Sequence, residues 1–471
     1  MTVGELSSRS AHELRSLVAE RRVSPVEIVE DVLSHVDMLQ PKLNAFVLVD
    51  HEGARKAARQ AEAALMRGDL LGPLHGVPVT VKDNAAVAGF PVRKGSRLTD
   101  ATPAAGDSVA VDRLRKAGAI IVGKTAMPEQ GWIATSTSPL TGATHNPWRH
   151  GYTSGGSSAG AAALAGAGCI PLHLGTDGAG SVRLPGHFCG VVGFKPTYGT
   201  VPYTPTFNNN AISHIGPIAR TVADAELMLE VMAGPHPLDP GSHPLGYRAE
   251  KGPRSIRGMR IAWSADLGHA RVDPEVAAIV DAAVNALADL GAVVEPVTPA
   301  WGPKGRDLER MMWGAWLPPL RPADPESKAE MDPALAACID EYGDMSWEVM
   351  QATLGRRLAY AAEVGQWFAE GWDLLVTPAA SVAAFPNGLI QPSHWPAETW
   401  DWLKWAEFSY PFNLAHNPAV SVPCGLTRDV LPVGLQIVAP RYADPIVMRA
   451  AAAFLEARPF AWPDRLGEAD A

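Results

Sequence analysis

Two clusters of small residues hold the groups from which a nucleophile and an anion-binding pocket could be built. The first is Thr153-Ser154-Gly155-Gly156-Ser157-Ser158-Ala159-Gly160. The second is Gly175-Thr176-Asp177-Gly178-Ala179-Gly180-Ser181-Val182-Arg183. Their serines offer hydroxyls. Their glycines let backbone approach a ligand where a Cβ would clash, and successive N–H groups in such turns converge on one anionic oxygen. Taken singly, these serines and glycines are caps and turns. Their density within Tyr152–Gly186 is what points to chemistry, although spacing alone does not choose among the serines.

A hydroxyl nucleophile needs a base. None of the fourteen histidines has metal-ligand spacing. His173, His187 and His214 lie nearby in sequence but in no catalytic context. Lys82 is the remaining base candidate. Val77, Val79 and Val81 alternate as in a strand, so Lys82 points away from the face they share. In a central strand that face is buried too, and a buried lysine gives up its proton more easily than a solvated one. The plainer reading is an exposed lysine near a strand end.

Two familiar patterns fail on context. Gly118-Ala119-Ile120-Ile121-Val122-Gly123-Lys124-Thr125 fits a phosphate loop, but its middle residues are apolar and read as a strand. Gly156-Ser157-Ser158-Ala159-Gly160 fits the nucleophile elbow of α/β-hydrolases, with Ser158 as nucleophile. The elbow needs a strand directly upstream, and His145 to Gly151 is a polar loop with a proline.

The surrounding elements form a strand–helix rhythm. Ser10 with Glu13, and Ser24 with Glu27 behind Pro25, have capping-box spacing and predict two helices, the second stopping at Gln40-Pro41. Asn44–Val49 reads as a strand, Glu52–Arg67 as a helix and Val77–Lys82 as a strand. Asp107–Ala117 then reads as a helix and Ala119–Val122 as a strand. Ala161–Gly168 predicts a helix and Cys169–Leu174 a strand, with a turn and short strand over Phe188–Lys195. Pro202–Ile215 reads as a loop before a helix at Val222–Met232. Strands at Arg260–Trp263 and Val293-Val294 flank a helix at Pro274–Leu290. Trp301–Gly371 is helix-rich, Asp373–Val376 returns to a strand, Pro411–Val422 and Leu431–Val438 are the last strands, and Pro440–Ala457 closes in a helix. This pattern predicts an α/β fold.

The chain has 471 residues, is 47% hydrophobic and 19% charged, and carries a net charge of −10. That balance suits an enzyme with a large core and argues against non-specific nucleic-acid binding. No linker divides the chain, so residues 1–471 read as a single domain. The four cysteines, Cys169, Cys189, Cys338 and Cys424, show no paired spacing and read as reduced thiols. No signal segment or membrane-length apolar run appears. The expected location is the cytoplasm, with no nucleic-acid or membrane partner, no cofactor and no metal, and with homodimer formation left open.

Read together, these motifs resemble the amidase signature family. The likeness runs through Gly76-Val77-Pro78, Val81-Lys82-Asp83, Asn146-Pro147-Trp148, Gly155–Gly160, Gly175–Arg183 and Gly193-Phe194-Lys195-Pro196-Thr197. It continues in Gly216–Arg220, Pro418–Pro423 and Pro432–Val438. Gly371-Trp372-Asp373-Leu374-Leu375 and Pro411-Phe412-Asn413 are similar to hydrolases of cyclic amide oligomers. The resemblance implies a large mixed β-sheet core sandwiched by helices. It implies a Ser–Ser–Lys triad with Ser181 as nucleophile, Ser157 as bridge and Lys82 as base. It also implies an oxyanion hole over Gly178, Ala179, Gly180 and Ser181, and a supporting Asp177–Arg183 ion pair. Ala159 departs from a usual glycine, and Gly178-Ala179-Gly180 from the common Thr-Gly-Gly.

The expectation is therefore a stand-alone amidohydrolase that cleaves C–N bonds of small-molecule amides, and also aryl esters and carbamates, through an acyl-enzyme. The alternatives are the glutaminase subunit of a tRNA amidotransferase and a non-catalytic binding protein of the same fold. The Trp- and Met-rich stretch at about 300–410 follows no family pattern, and is expected to be the variable, helix-rich region that shapes an apolar or aromatic substrate pocket. Met127, Phe207, Trp313, Trp316 and Trp402 are the residues expected to touch substrate.

Overall fold

Ser10 and Ser24 cap their helices as their spacing requires. Both capping boxes close, ahead of Ala11–Ala19 and Pro25–Leu43. The second helix runs past the expected stop, with Pro41 inside its last turn. Pro41 gives no N–H to the Asp37 carbonyl, yet the helix runs on for two more residues until Asn44, in the left-handed region, closes it. The structure is a computed structural model and describes residues 4–205 and 211–462.

The strands are β1 (Phe46–Val49), β2 (Pro78–Lys82), β3 (Ile120–Thr125), β4 (Thr137–Ser138), β5 (Gly142–Ala143), β6 (Leu172–Asp177) and β7 (Val192–Lys195). There follow β8 (His214–Ala219), β9 (Arg260–Trp263), β10 (Val293–Pro296), β11 (Leu374–Pro378), β12 (Ala419–Leu426) and β13 (Pro432–Val438). Eleven of them form one mixed sheet in the order β1-β3-β2-β6-β8-β7-β12-β13-β11-β9-β10, while β4 and β5 pair separately. Strand β2 lies parallel to both β3 and β6, so Lys82 stands in a central strand.

The sheet is covered on both faces, and alternation along each strand decides which residue faces which core. Val79, Val81, Leu374, Val376, Val420 and Ile437 share one core with the helices Val222–Met232, Pro274–Asp289 and Asp444–Ala457. Leu375, Ala419 and Val438 face another, which holds Trp301, Trp313, Trp316, Trp402 and Trp405. That aromatic layer rests on the helices Lys304–Ala315, Pro333–Tyr342 and Trp347–Ala369, so the expected helix-rich region is present.

Two expected elements differ. Arg183–Cys189 is a helix, although Pro185 and Gly186 are poor helix formers; every one of its residues is buried, and packing overrides propensity. The strand expected over Pro411–Val422 begins only at Ala419, because Pro411–Leu414 forms a short helix. The phosphate-loop pattern lies within β3 and its approach, as its apolar residues require. Phe207 lies outside the described residues. Among those described, no helix is long and apolar enough to cross a membrane.

Candidate active site

Parallel pairing sets β2 beside β6 and brings Lys82 next to Thr176. Across from them, the turn before the helix Ala159–Gly166 carries Ser157, preceded by a cis peptide bond to Gly156. Lys82 Nζ lies 2.7 Å from Ser157 Oγ, 3.0 Å from Thr176 Oγ1 and 3.2 Å from the Thr176 carbonyl oxygen. A neutral amine matches this set: two N–H groups for Thr176 and a lone pair for the Ser157 hydroxyl. Burial lowers the Lys82 pKa to about 7, opposed only by the charge of Asp177. Among the described residues no carboxylate is in ion-pair range of it. Lys124, equally buried one strand away, does have one: Asp83, at 3.5 Å.

Ser181 follows β6 on the loop that leads into the helix Arg183–Cys189. The loop folds around the Asp177 carboxylate. Asp177 accepts from the Gly180 N–H at 2.7 Å and the Val182 N–H at 3.1 Å. Arg183 donates to it through Nε at 3.0 Å and through its terminal nitrogen at 2.9 Å. Burial alone would raise the carboxyl's pKa, but Arg183, Lys195 and Asn413 together hold it well below the usual range. Arg183 is in turn held by Gln436 Oε1 at 2.8 Å, the Ser409 carbonyl at 2.7 Å and Asn413 Oδ1 at 2.6 Å. Asn413 also donates to the Asp177 carboxylate and carbonyl. Gly180 has φ 116°, and a Cβ there would meet Ser409 Oγ at 2.5 Å, so the turn requires glycine.

This cage changes the expected anion pocket. The Gly180 N–H is committed to Asp177 and cannot face a substrate oxygen. The Gly178, Ala179 and Ser181 N–H groups have no acceptor among the described residues. Ser158 is turned away from the cavity. Its hydroxyl is fully buried and bridges the Thr176 carbonyl and N–H at 3.3 and 3.4 Å, tying the helix start to β6.

Ser157, Ser181, Thr176 and Gly178 open onto a cavity of about 460 Å³. Trp313, Trp316, Pro319 and Leu320 form its apolar wall; Asn84, Lys94, Thr99, Gln130 and Tyr203 are among its polar lining. Two other expected contacts do not reach it. Trp402 has no exposed surface and stands behind Trp313, ring centroids 5.6 Å apart, with Trp405 beyond it. Met127 is buried behind Gly131, its terminal carbon within 3.1 Å of where a Cβ would sit. Sequence reasoning assigned no part to Thr176, Ser409, Asn413 or Gln436. Of these Thr176, Gln436 and Asn413 carried a sequence signal, through the motifs around them, and Ser409 carried none. Among the described residues no three His, Cys, Asp or Glu side chains converge as a metal cage requires.

The family model named Amidase matches residues 27–308 and 327–448. An acylamidase from Rhodococcus erythropolis is 41% identical over 99% of this chain and 98% of its own length. A glutamyl-tRNA(Gln) amidotransferase component from Salinispora arenicola is 35% identical over 95% of this chain and 97% of its own. Among solved structures, a bacterial aryl acylamidase of the amidase signature family superposes with a TM-score of 0.91 at 30% identity, covering 99% of both chains. A 6-aminohexanoate cyclic dimer hydrolase complexed with substrate superposes with a TM-score of 0.88 at 27% identity, covering 98% of this chain and 100% of that one.

Proposed function

The chain belongs to the amidase signature family and is an amide-cleaving hydrolase, and from that membership we propose that it works alone, through Ser181, Ser157 and Lys82, on amides with an apolar or aromatic part. The observation that carries this reading is the 2.7 Å contact between Ser157 Oγ and a buried lysine with no carboxylate partner among the described residues. With its pKa lowered to about 7, such a lysine is partly neutral at pH 7 and can serve as a base.

In this mechanism Lys82 takes the Ser157 proton while Ser157 takes that of Ser181. Ser181 Oγ attacks the carbonyl carbon, and the electron pair of the C=O bond moves to oxygen. The N–H groups of Gly178, Ala179 and Ser181 meet that oxyanion; one such donor is commonly worth about 3–4 kcal/mol. As the tetrahedral centre collapses, Ser157 hands its proton to the leaving nitrogen and is reprotonated by Lys82. Water then attacks the acyl-enzyme through the same relay and frees the acid. An activated ester or carbamate enters by the same first step, so both belong to the proposed range.

The acylamidase aligns at higher identity than the amidotransferase component, which favours the stand-alone reading over the glutaminase. The test is labelling with a fluorophosphonate, followed by peptide mass spectrometry and a panel of anilides, lactams, aryl carbamates and glutamine. The adduct is expected on Ser181, with anilides turned over well ahead of glutamine. An adduct on Ser158, or no adduct, overturns the triad; glutamine as the preferred substrate restores the glutaminase.

A further inference from the structure

The cavity over Ser181 carries one cation that the reaction does not use. Lys94 lies on its wall, partly buried, on a backbone with φ 50°. A side chain other than glycine is held in that left-handed conformation only where its surroundings enforce it. Here they do. The Lys94 carbonyl accepts from the Gln130 N–H at 2.7 Å, and the next N–H, that of Gly95, goes to the Asp83 carboxylate at 3.3 Å. Gln130 leads into Gly131, where a Cβ would come within 3.1 Å of Ser157 Oγ. The Lys94 segment therefore borders the hydroxyl that passes the proton.

The ammonium of Lys94 has neither an ion-pair nor a hydrogen-bond partner among the described residues. Two acids lie in its neighbourhood. Asp83 is already engaged by Lys124 at 3.5 Å and by the Arg93 and Gly95 N–H groups. Asp100, on the cavity wall, is exposed and takes the Thr102 N–H and hydroxyl at 3.0 and 2.6 Å. Burial lowers the pKa of Lys94, with Asp83 opposing. A partly desolvated cation without an acceptor, facing a substrate cavity, is a cost that an anionic ligand group would remove.

We infer that Lys94 receives a carboxylate carried by the substrate, so that the enzyme acts on acidic amides, with the acid on either the acyl chain or the amine. This rests on the amide-hydrolase reading above and adds the substrate class. It gives Lys94 a part in specificity and none in bond cleavage.

The experiment compares matched pairs. On the acyl side these are glutaryl and valeryl para-nitroanilide; on the amine side, valeryl para-aminobenzoate and valeranilide. The wild type is expected to favour the acidic member of at least one pair, and the pair it favours tells which side carries the acid. Lys94→Met should then lower kcat/KM for that acid roughly 10- to 100-fold, chiefly through KM, and leave the neutral partner within about twofold. Lys94→Arg should keep the preference. Turnover of the neutral anilides reports amide hydrolysis independently of Lys94. Calorimetric binding of the glutaryl anilide and of the valeryl aminobenzoate to Ser181→Ala, with and without Lys94→Met, reads the contact without turnover. Acid-to-neutral ratios that Lys94→Met leaves unchanged, or equal binding of both acids with and without Lys94, overturn the assignment.

Discussion

Two regions meet at the cavity and are held together by different physics. Below Ser181, polar atoms are matched one to one: Asp177, Arg183, Asn413 and Gln436 satisfy each other through directional bonds of 2.6–3.0 Å. In the aromatic layer above, the indoles of Trp313 and Trp405 donate to the Trp132 and Ile390 carbonyls, but several buried polar atoms have no partner among the described residues. Both oxygens of Glu309, the hydroxyls of Tyr360 and Tyr410, and the indole N–H groups of Trp301, Trp316 and Trp402 are among them. That layer is held by ring packing, as in the T-shaped Trp313–Trp402 and Trp301–Tyr360 pairs. A directional network admits few substitutions, whereas a packed one admits many if volume is kept. On the proposed reading, this places the reacting groups on the side that admits few changes and the substrate wall on the side that admits many.

The sharpest way to break this contrast is at the relay. Lys82→Ala should lower kcat/KM on an anilide by about 10²–10⁴-fold, and by clearly less on an activated aryl ester, whose leaving group needs no relayed proton. Steady-state kinetics on the two substrates decide it, and equal losses would remove Lys82 from the relay. The pH profile carries the same information. Burial favours the neutral amine, so the active form accumulates as pH rises through about 7. An ordinary lysine would give that limb near 10.5. A rise in kcat/KM with its midpoint near 7 is expected, and it should disappear in Lys82→Ala.

Next in size is a pair of tryptophans on the packed side. Trp402 has no exposed surface, so Trp402→Ala should cost about 3–5 kcal/mol of stability and leave the substrate ranking unaltered. Trp316 lines the cavity, so Trp316→Ala should shift the ratio of bulky aryl to small acyl substrates by about 10–200-fold and lower the melting temperature less. Denaturation and kinetics on the same two variants separate wall from core. Reversed outcomes would show that the boundary drawn between them is wrong.

The smallest effect is expected at Glu309. Burial raises its pKa well above the ordinary value and so favours the neutral carboxyl. Glu309→Gln keeps the shape and puts a neutral amide where burial favours a neutral carboxyl, and should change stability by less than about 1 kcal/mol in urea titrations at pH 7. Asp177→Asn, where the carboxylate is ionised and fully bonded, should cost several times more.

Much of the fold could be read where the signal is local. The capping boxes at Ser10 and Ser24, the alternating valines before Lys82 and the helix Val222–Met232 all follow from neighbours a few residues apart. The helix Arg183–Cys189 could not be read, because burial rather than propensity forms it. The same division runs through the site. Lys82, Ser157 and Ser181 stand in dense motifs. The parts of Ser409 and Asn413 depend on contacts made 226–236 residues away, which no local pattern records. Composition flagged the tryptophans, but it cannot tell a cavity wall from the layer behind it: Trp313 and Trp402 belong to the same cluster and differ only in which one the cavity meets.

The bond from Arg183 to Gln436 spans 253 residues. At a synthesis rate of about 5–20 residues per second, the ribosome needs roughly 13–50 s to deliver the second partner after the first. Throughout that interval the nascent chain already carries Lys82, Ser157 and Ser181, yet lacks the strand that completes the cage around Asp177 and Arg183. The loop around Asp177 can therefore reach its full set of bonds only late in the synthesis of each molecule. A chain released early, short of β13, is left with its reactive groups unassembled.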